Sequence, residues 1–293
     1  QGDWSSDVCS SDLFVPMFAS VLFNDINKAA FDVMKDGYSF DQKTSLKTSC
    51  CGYNMSLEAK NFTSSLSGKF AVDFKPFTYL AVKKLSIENT GAAVLDFDIP
   101  NFIRGTTFMF RSQGDAFTHD VKKATCGLKY MSECFSGDVN FDVLSQKINS
   151  SAVLAHNNFM IGCKVEGTKD AITSFDAALA FCYKECVLSA ASINNHTAID
   201  TAVYAKPFKN VKVGADCIFS LTESKNPLIA FGMCMNPTMS SELRTKVGSD
   251  GKLYGYYKTT ISKNISLAVT GAVDYNNMFS GSHKIGIAVE MRI

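Results

Sequence analysis

The chain has 293 residues, 46% hydrophobic and 19% charged, which excludes a disordered protein and allows one large domain or two ordinary ones. A formal net charge of +1, with no basic run and no aromatic-basic interleaving, excludes nucleic acid as the main partner. Ten cysteines scattered at no ligand spacing exclude a small secreted disulfide framework, and reduced thiols lying on strands are the plain reading. Residues 1–12 (QGDWSSDVCSSD) share no pattern with the rest of the chain. They read as a sequencing-adaptor scar and are set aside. Without Asp3, Asp7 and Asp12 the 28 acids fall to 25 against 29 bases, so the remainder is mildly basic, near +4.

Residues 13–37 form an N-terminal segment. Its apolar stretch Phe14 to Phe23 is ten residues long and holds Pro16, far short of the roughly 18 apolar residues of a spanning helix. Asp25 to Lys35 predicts one amphipathic helix, with Ile26, Ala29, Ala30 and Val33 on one face and Asn27, Lys28, Asp32 and Lys35 elsewhere. Gly37 stands where a helix commonly ends.

From Tyr38 onward helical periodicity is nearly absent. Short alternating runs succeed one another, separated by Gly, Asn, Asp and Ser. In AAVLDFDIP the residues Ala93, Leu95, Phe97 and Ile99 oppose Val94, Asp96 and Asp98. In NVKVGADCIFS the residues Val211, Val213, Ala215, Cys217 and Phe219 oppose Lys212, Gly214, Asp216 and Ser220. The last run, SHKIGIAVEMRI, sets Ile285, Ile287, Val289 and Met291 against Lys284, Gly286, Ala288, Glu290 and Arg292. About nineteen such runs fit between residues 38 and 293, the spacing of transmembrane strands of about 9–11 residues joined by short turns. Two architectures accommodate them: packed β-sandwiches, or one closed barrel with its apolar rows in lipid. Polar rows that stay polar from end to end favour the barrel, whose final strand must find a partner or remain an open edge.

Three segments are distinctive. FNDINKAAFDVMKDGYSF, KLYGYYKTTISKNISLAVTGAVDYNN and the ending GSHKIGIAVEM resemble the pore helix, penultimate hairpin and C-terminus of the mitochondrial voltage-dependent anion channel (eukaryotic porin) family. The resemblance covers Phe23 to Met291. It implies an all-β transmembrane barrel of about 19 strands over residues 38–293, with the helix inside the pore and the last strand parallel to the first. It further implies a voltage-gated diffusion channel of the mitochondrial outer membrane for small ions and metabolites such as adenine nucleotides and phosphate. No cofactor, metal or enzymatic step is implied. The partners it implies are the lipid bilayer, nucleotides and small anions as permeants, the barrel-assembly machinery, and a homo-oligomer left open. Lys284, Gly286, Val289 and Met291 resemble the barrel-assembly signal; Lys28 and Asp32 fit their pore-helix positions, and Lys35, Asp36 and Thr107 stand at or beside further pore-helix and lumen positions.

The departures from the family pattern remove positive charge. Phe31 stands for a usual arginine, Asp36 for a lysine, and Gly105-Thr106-Thr107 for a stretch that supplies a lumen lysine. Pore charge sets selectivity, so anion preference is expected to be weak. An acid on the lipid face of the fourth strand is matched by Lys84, in register with Leu80 and Val82 by simple alternation. A charge there costs about 2–4 kcal/mol at the bilayer centre and about 0–1 kcal/mol near its edge.

Other constellations are thin. His119, His156, His196 and His283 have no spacing relation to one another or to a carboxylate pair. Cys182 and Cys186 flank an expected hairpin tip, and Asn54, Asn61, Asn149, Asn195 and Asn264 begin N-x-S/T triplets of the kind common by chance. The alternatives are the related protein-import channel of the same membrane and a soluble β-sandwich binding protein.

Overall fold

The computed structural model describes residues 21–35, 37–62, 65–222, 226–277 and 283–293. The adaptor-like residues 1–12 and Asp36 lie outside them. A 3-10 turn, Phe23–Asp25, leads into the helix α1, Lys28–Lys35. The helix starts later than its periodicity predicts. The first α-type bond runs from the Phe31 N–H to the Asn27 carbonyl at 3.1 Å, whereas the Ile26 N–H closes back on Phe23 at 3.3 Å.

Among the described residues, nineteen strands come after the helix. They begin with β1 (Gln42–Cys50), β2 (Tyr53–Phe62), β3 (Ser65–Phe77), β4 (Leu80–Glu88) and β5 (Ala92–Ile103). Next come β6 (Thr106–Asp115), β7 (Asp120–Met131), β8 (Phe135–Asp142), β9 (Lys147–His156) and β10 (Phe159–Thr168). The middle of the chain gives β11 (Ile172–Tyr183), β12 (Cys186–Ile193), β13 (Ala198–Phe208), β14 (Val211–Ser220) and β15 (Leu228–Thr238). The last are β16 (Ser241–Gly248), β17 (Lys252–Ser262), β18 (Ile265–Asp274) and β19 (Lys284–Arg292). Each strand pairs antiparallel with its sequence neighbours in one sheet, and β19 returns to lie parallel to β1. In that seam Gln42 faces Ile287 and Lys47 faces Arg292. No edge is left, which disposes of the sandwich alternative.

Strand alternation sorts the side chains. Outward positions carry large apolar groups open to the surroundings, among them Leu57, Phe70, Leu154, Ile161, Leu179, Phe231 and Ile287. A belt of this size in water would forgo roughly 25 cal/mol for every Å² left unburied, so the face belongs in a bilayer. No helix among the described residues is long and apolar enough to cross a membrane, and the strands do the crossing.

The interior differs from the expected uniform polar row. Under the helix the inward positions are small and apolar: Gly162, Ala178, Ala180, Ala202, Gly214, Ala230 and Gly232. Among the described residues, the two clusters of buried apolar side chains lie on this strip. One cluster joins Ile26 to Val153, Met160, Ala178 and Ala180, and a second joins Ala30 and Met34 to Ala202.

Lys84 is also placed differently. A β-bulge separates Val82, opposite Phe97, from Lys84, opposite Asp96, leaving Lys83 as the extra residue. The extra residue reverses parity, so Lys84 joins the inward row of Ser86 and Glu88 instead of the outward row of Leu80 and Val82. The cost of a charge in lipid does not arise at this position.

Candidate functional site: the lumen and its helix

Among the described residues, four hydrogen bonds tie the N-terminal segment to the inner face, from Ser136 on β8 round to Thr270 on β18. Ser136 donates to the Val21 carbonyl, and the Asn27 amide donates to the Asp200 carboxylate at 3.3 Å. Arg244 Nη1 donates to the Asp32 carbonyl at 2.7 Å, and Thr270 donates to the Gly37 carbonyl at 3.3 Å. The Arg244 contact falls in the last turn of α1, where carbonyls lack helical partners and the dipole end favours a cation. Glu242 holds the same guanidinium at 2.5 Å and fixes its direction. Gly37 then adopts φ +88°, and the chain turns away against the Tyr256 ring.

Shape complements these ties. A Cβ on Gly214 would come within 3.0 Å of the Ala30 carbonyl and 3.3 Å of the Val33 Cβ, and one on Gly232 would come within 2.9 Å of the Met34 side chain. The helix lies against β13 to β16, and the turn before it lies against β9 and β10. Its buried face is Ile26, Ala30, Val33 and Met34. Ala29 is only half-buried and Met34, which the periodicity does not single out, is 1% exposed. Asn27, expected away from the packing face, is buried and docked on Asp200. The expected lumen residues divide: Lys28 is open and pairs with Asp25 at 3.6 Å, while the Lys35 ammonium sits 3.9 Å over the Phe31 ring. Asp32 is half-buried, and Tyr38, in the linker after the helix, has its phenol pushed up to about 12, mainly by burial.

The rest of the lumen is charged. Lys43 meets Glu58 at 2.9 Å, Lys69 meets Glu88 at 2.8 Å, and Glu290 gathers Lys47 at 3.0 Å, Arg292 at 3.2 Å and Lys258 at 3.8 Å. Thr107 faces inward in the row of Met109 and Arg111, directly across from Lys129 on β7. A niche of about 280 Å³ opens between Asn24 and the wall, lined by Arg111, Gln113, Lys123, Asn149 and Lys164. These wall cations escape sequence reading because a lone lysine in an alternating strand looks like ordinary solvation. Parity alone identifies them: each lies on the row opposite the apolar one.

On β19, Ile285, Ile287, Val289 and Met291 form the outward row, so the four signal-like residues do not share a face: Gly286 and Lys284 belong to the inward parity. Gly286 is buried where the linker crosses, and a Cβ there would lie 2.6 Å from the Phe40 Cα. Among the described residues no group of His, Cys, Asp or Glu is arranged to hold a metal. The arrangement is that of a conduit with a lining and a docked segment.

Comparison with known proteins agrees with this geometry. The eukaryotic porin family model matches residues 19–286. A hamster (Mesocricetus auratus) protein named non-selective voltage-gated ion channel VDAC2 is 23% identical, with 98% of this chain and 99% of that one aligned. The mouse protein of the same name is 24% identical, covering 94% of this chain and 96% of its own length. A Drosophila melanogaster voltage-dependent anion-selective channel is 24% identical over 92% and 98%.

Proposed function

The chain belongs to the eukaryotic porin family, a family of channels and not of enzymes, and from that premise we propose that it is a voltage-gated diffusion pore of the mitochondrial outer membrane. Its permeants are small ions and metabolites such as adenine nucleotides and phosphate, and passage involves no chemical step. The observation that carries this reading is the closed nineteen-strand sheet with charged groups on its inner face. Barrels of about 16–18 strands are already too wide for side chains to fill and hold water. The barrel-assembly machinery is its route into the membrane, reading the β19 pattern of Lys284, Gly286, Val289 and Met291.

Selectivity follows from how the lumen cations are spent. Lys43, Lys69 and Lys47 each face a carboxylate within 3.0 Å, and the helix offers Lys28 beside Asp25. Cations neutralised at such range add little to the field felt by a passing ion, so anion preference is weak. The β6–β10 niche gathers Arg111, Lys123 and Lys164 beside Asp138, with Lys164 paired to Glu166 at 2.7 Å, so Arg111 and Lys123 are the cations there on which a phosphate group would linger. The test is flux and reversal potential together. Liposomes holding the refolded protein should release trapped ATP and retain a large dextran, and a salt gradient should give a reversal potential only slightly on the anion side. Retention of ATP by liposomes that contain folded protein would refute the pore.

A further inference from the structure

We propose that Cys50 and Cys51, at the tip of the β1–β2 hairpin, form a vicinal-dithiol site for soft three-coordinate thiophiles, of which the monosubstituted trivalent arsenicals are the fitting class. The hairpin turns on Cys51 and Gly52, with φ +52° and +83°. Two left-handed central residues make the tight turn that asparagine-glycine or aspartate-glycine serves best. Cysteine has neither the side-chain acceptor nor the freedom that such a position rewards, so the turn does not explain its presence. Both thiols are exposed, and their sulfurs stand 3.5 Å apart. Beside them Tyr53, the first residue of β2, stacks on Phe74 of β3 at 5.2 Å, an outward aromatic pair of the kind found where a strand meets the aqueous interface.

Distances choose the chemistry. A direct disulfide needs sulfurs about 2.0 Å apart and Cα atoms usually about 4.4–6.8 Å apart. Neighbouring residues across a trans peptide have Cα atoms only about 3.8 Å apart, so closing that bond would distort the turn. A soft centre bonded to each sulfur at about 2.3 Å would span the observed gap with an angle of about 100°, a pyramidal geometry, with no backbone movement. Zinc would require two further ligands, and no His, Cys, Asp or Glu among the described residues joins the pair to complete a set. An organoarsenic centre brings its third substituent as its own carbon. The reaction balances without oxidant: two As–S bonds form, two As–OH bonds break, and the thiol protons leave with the hydroxyls as two waters. A monothiol competes poorly, because both sulfurs are already placed.

The site rests on the hairpin and not on the channel reading, and its test needs no conductance. The full chain, reduced and folded in detergent, is treated with phenylarsine oxide, washed with excess glutathione and weighed intact. One phenylarsenic group should remain per chain and leave with 2,3-dimercaptopropanol. C50S and C51S should each lose it, while C134S, at another exposed hairpin, should keep it. Far-UV circular dichroism checks that each variant is folded. Retention in the C50S/C51S double variant, or none in the folded natural chain, would overturn the site. Ready closure of a Cys50–Cys51 disulfide by diamide would overturn the preference for a bridging centre.

Discussion

The two walls of the lumen are built on one strand pattern and put it to opposite uses. From β10 to β15 the inward row carries a strip of glycine and alanine, interrupted by Asp200 and Asp216, and the N-terminal segment packs on it with Ile26, Ala30, Val33 and Met34 turned down. From β1 to β6 the inward row intersperses lysine, arginine, aspartate and glutamate with serine and a few apolar residues, and charges such as Lys43–Glu58 and Lys69–Glu88 pair across strands. The first wall is shaped for contact and the second for charge. A barrel can therefore keep a bilayer-facing row constant all around while dividing its interior between a docking site and an ion path.

Crowding the docking wall should have the largest effect. Gly214→Leu forces side-chain atoms into the Ala30–Val33 face, and overpacking of this kind costs about 1–3 kcal/mol. Amide hydrogen exchange of residues 28–35 should accelerate sharply, whereas Gly255→Leu, with nothing within 4 Å of its added Cβ, should leave it unchanged. Next comes Arg244→Ala, which removes the clasp on Asp32 and the ion pair with Glu242. A hydrogen bond to a charged group contributes about 1.5–3 kcal/mol, so closure should occur at lower voltage, with partial recovery in Arg244→Lys. Asp200→Asn keeps an acceptor for Asn27 and should shift the closing voltage less than Asp200→Leu. On the charged wall, Glu58→Gln with Glu88→Gln frees Lys43 and Lys69. Reversal potential should move toward anions while helix exchange and thermal stability change little, since these half-buried pairs face the water of the lumen and contribute about 1 kcal/mol each or less. Smallest of all, Thr107→Lys adds one cation beside Lys129 and should move selectivity slightly the same way.

Much of the fold is legible in the sequence. The outward row of β19 can be read residue by residue, and its need for a partner is met by the parallel seam with β1. Alternation misplaces Lys84 because a bulge inserts one residue without any mark in the pattern. The docking wall is hidden for a related reason. Alanine and glycine sit equally well on either row, so Ala178, Ala202 and Gly232 declare nothing until a helix covers them. Asn27 looks like a solvent residue because a buried amide needs an acceptor 173 positions away, Asp200, and no local pattern announces it. The adjacent pair Cys50-Cys51 is visible in the sequence, where it looks like two of ten scattered thiols. Only the turn geometry brings the sulfurs together.

The most direct measurement is single-channel recording in a planar bilayer of the natural chain without residues 1–12, beside its Gly214→Leu variant. A pore whose helix is seated on the small-residue wall should show a large conductance that steps down at voltages of either sign. In the variant the pore should still insert and yet fail to hold the full open level. Identical open levels and identical voltage dependence in the two proteins would contradict the account, because the docked helix would then have no part in setting the open state.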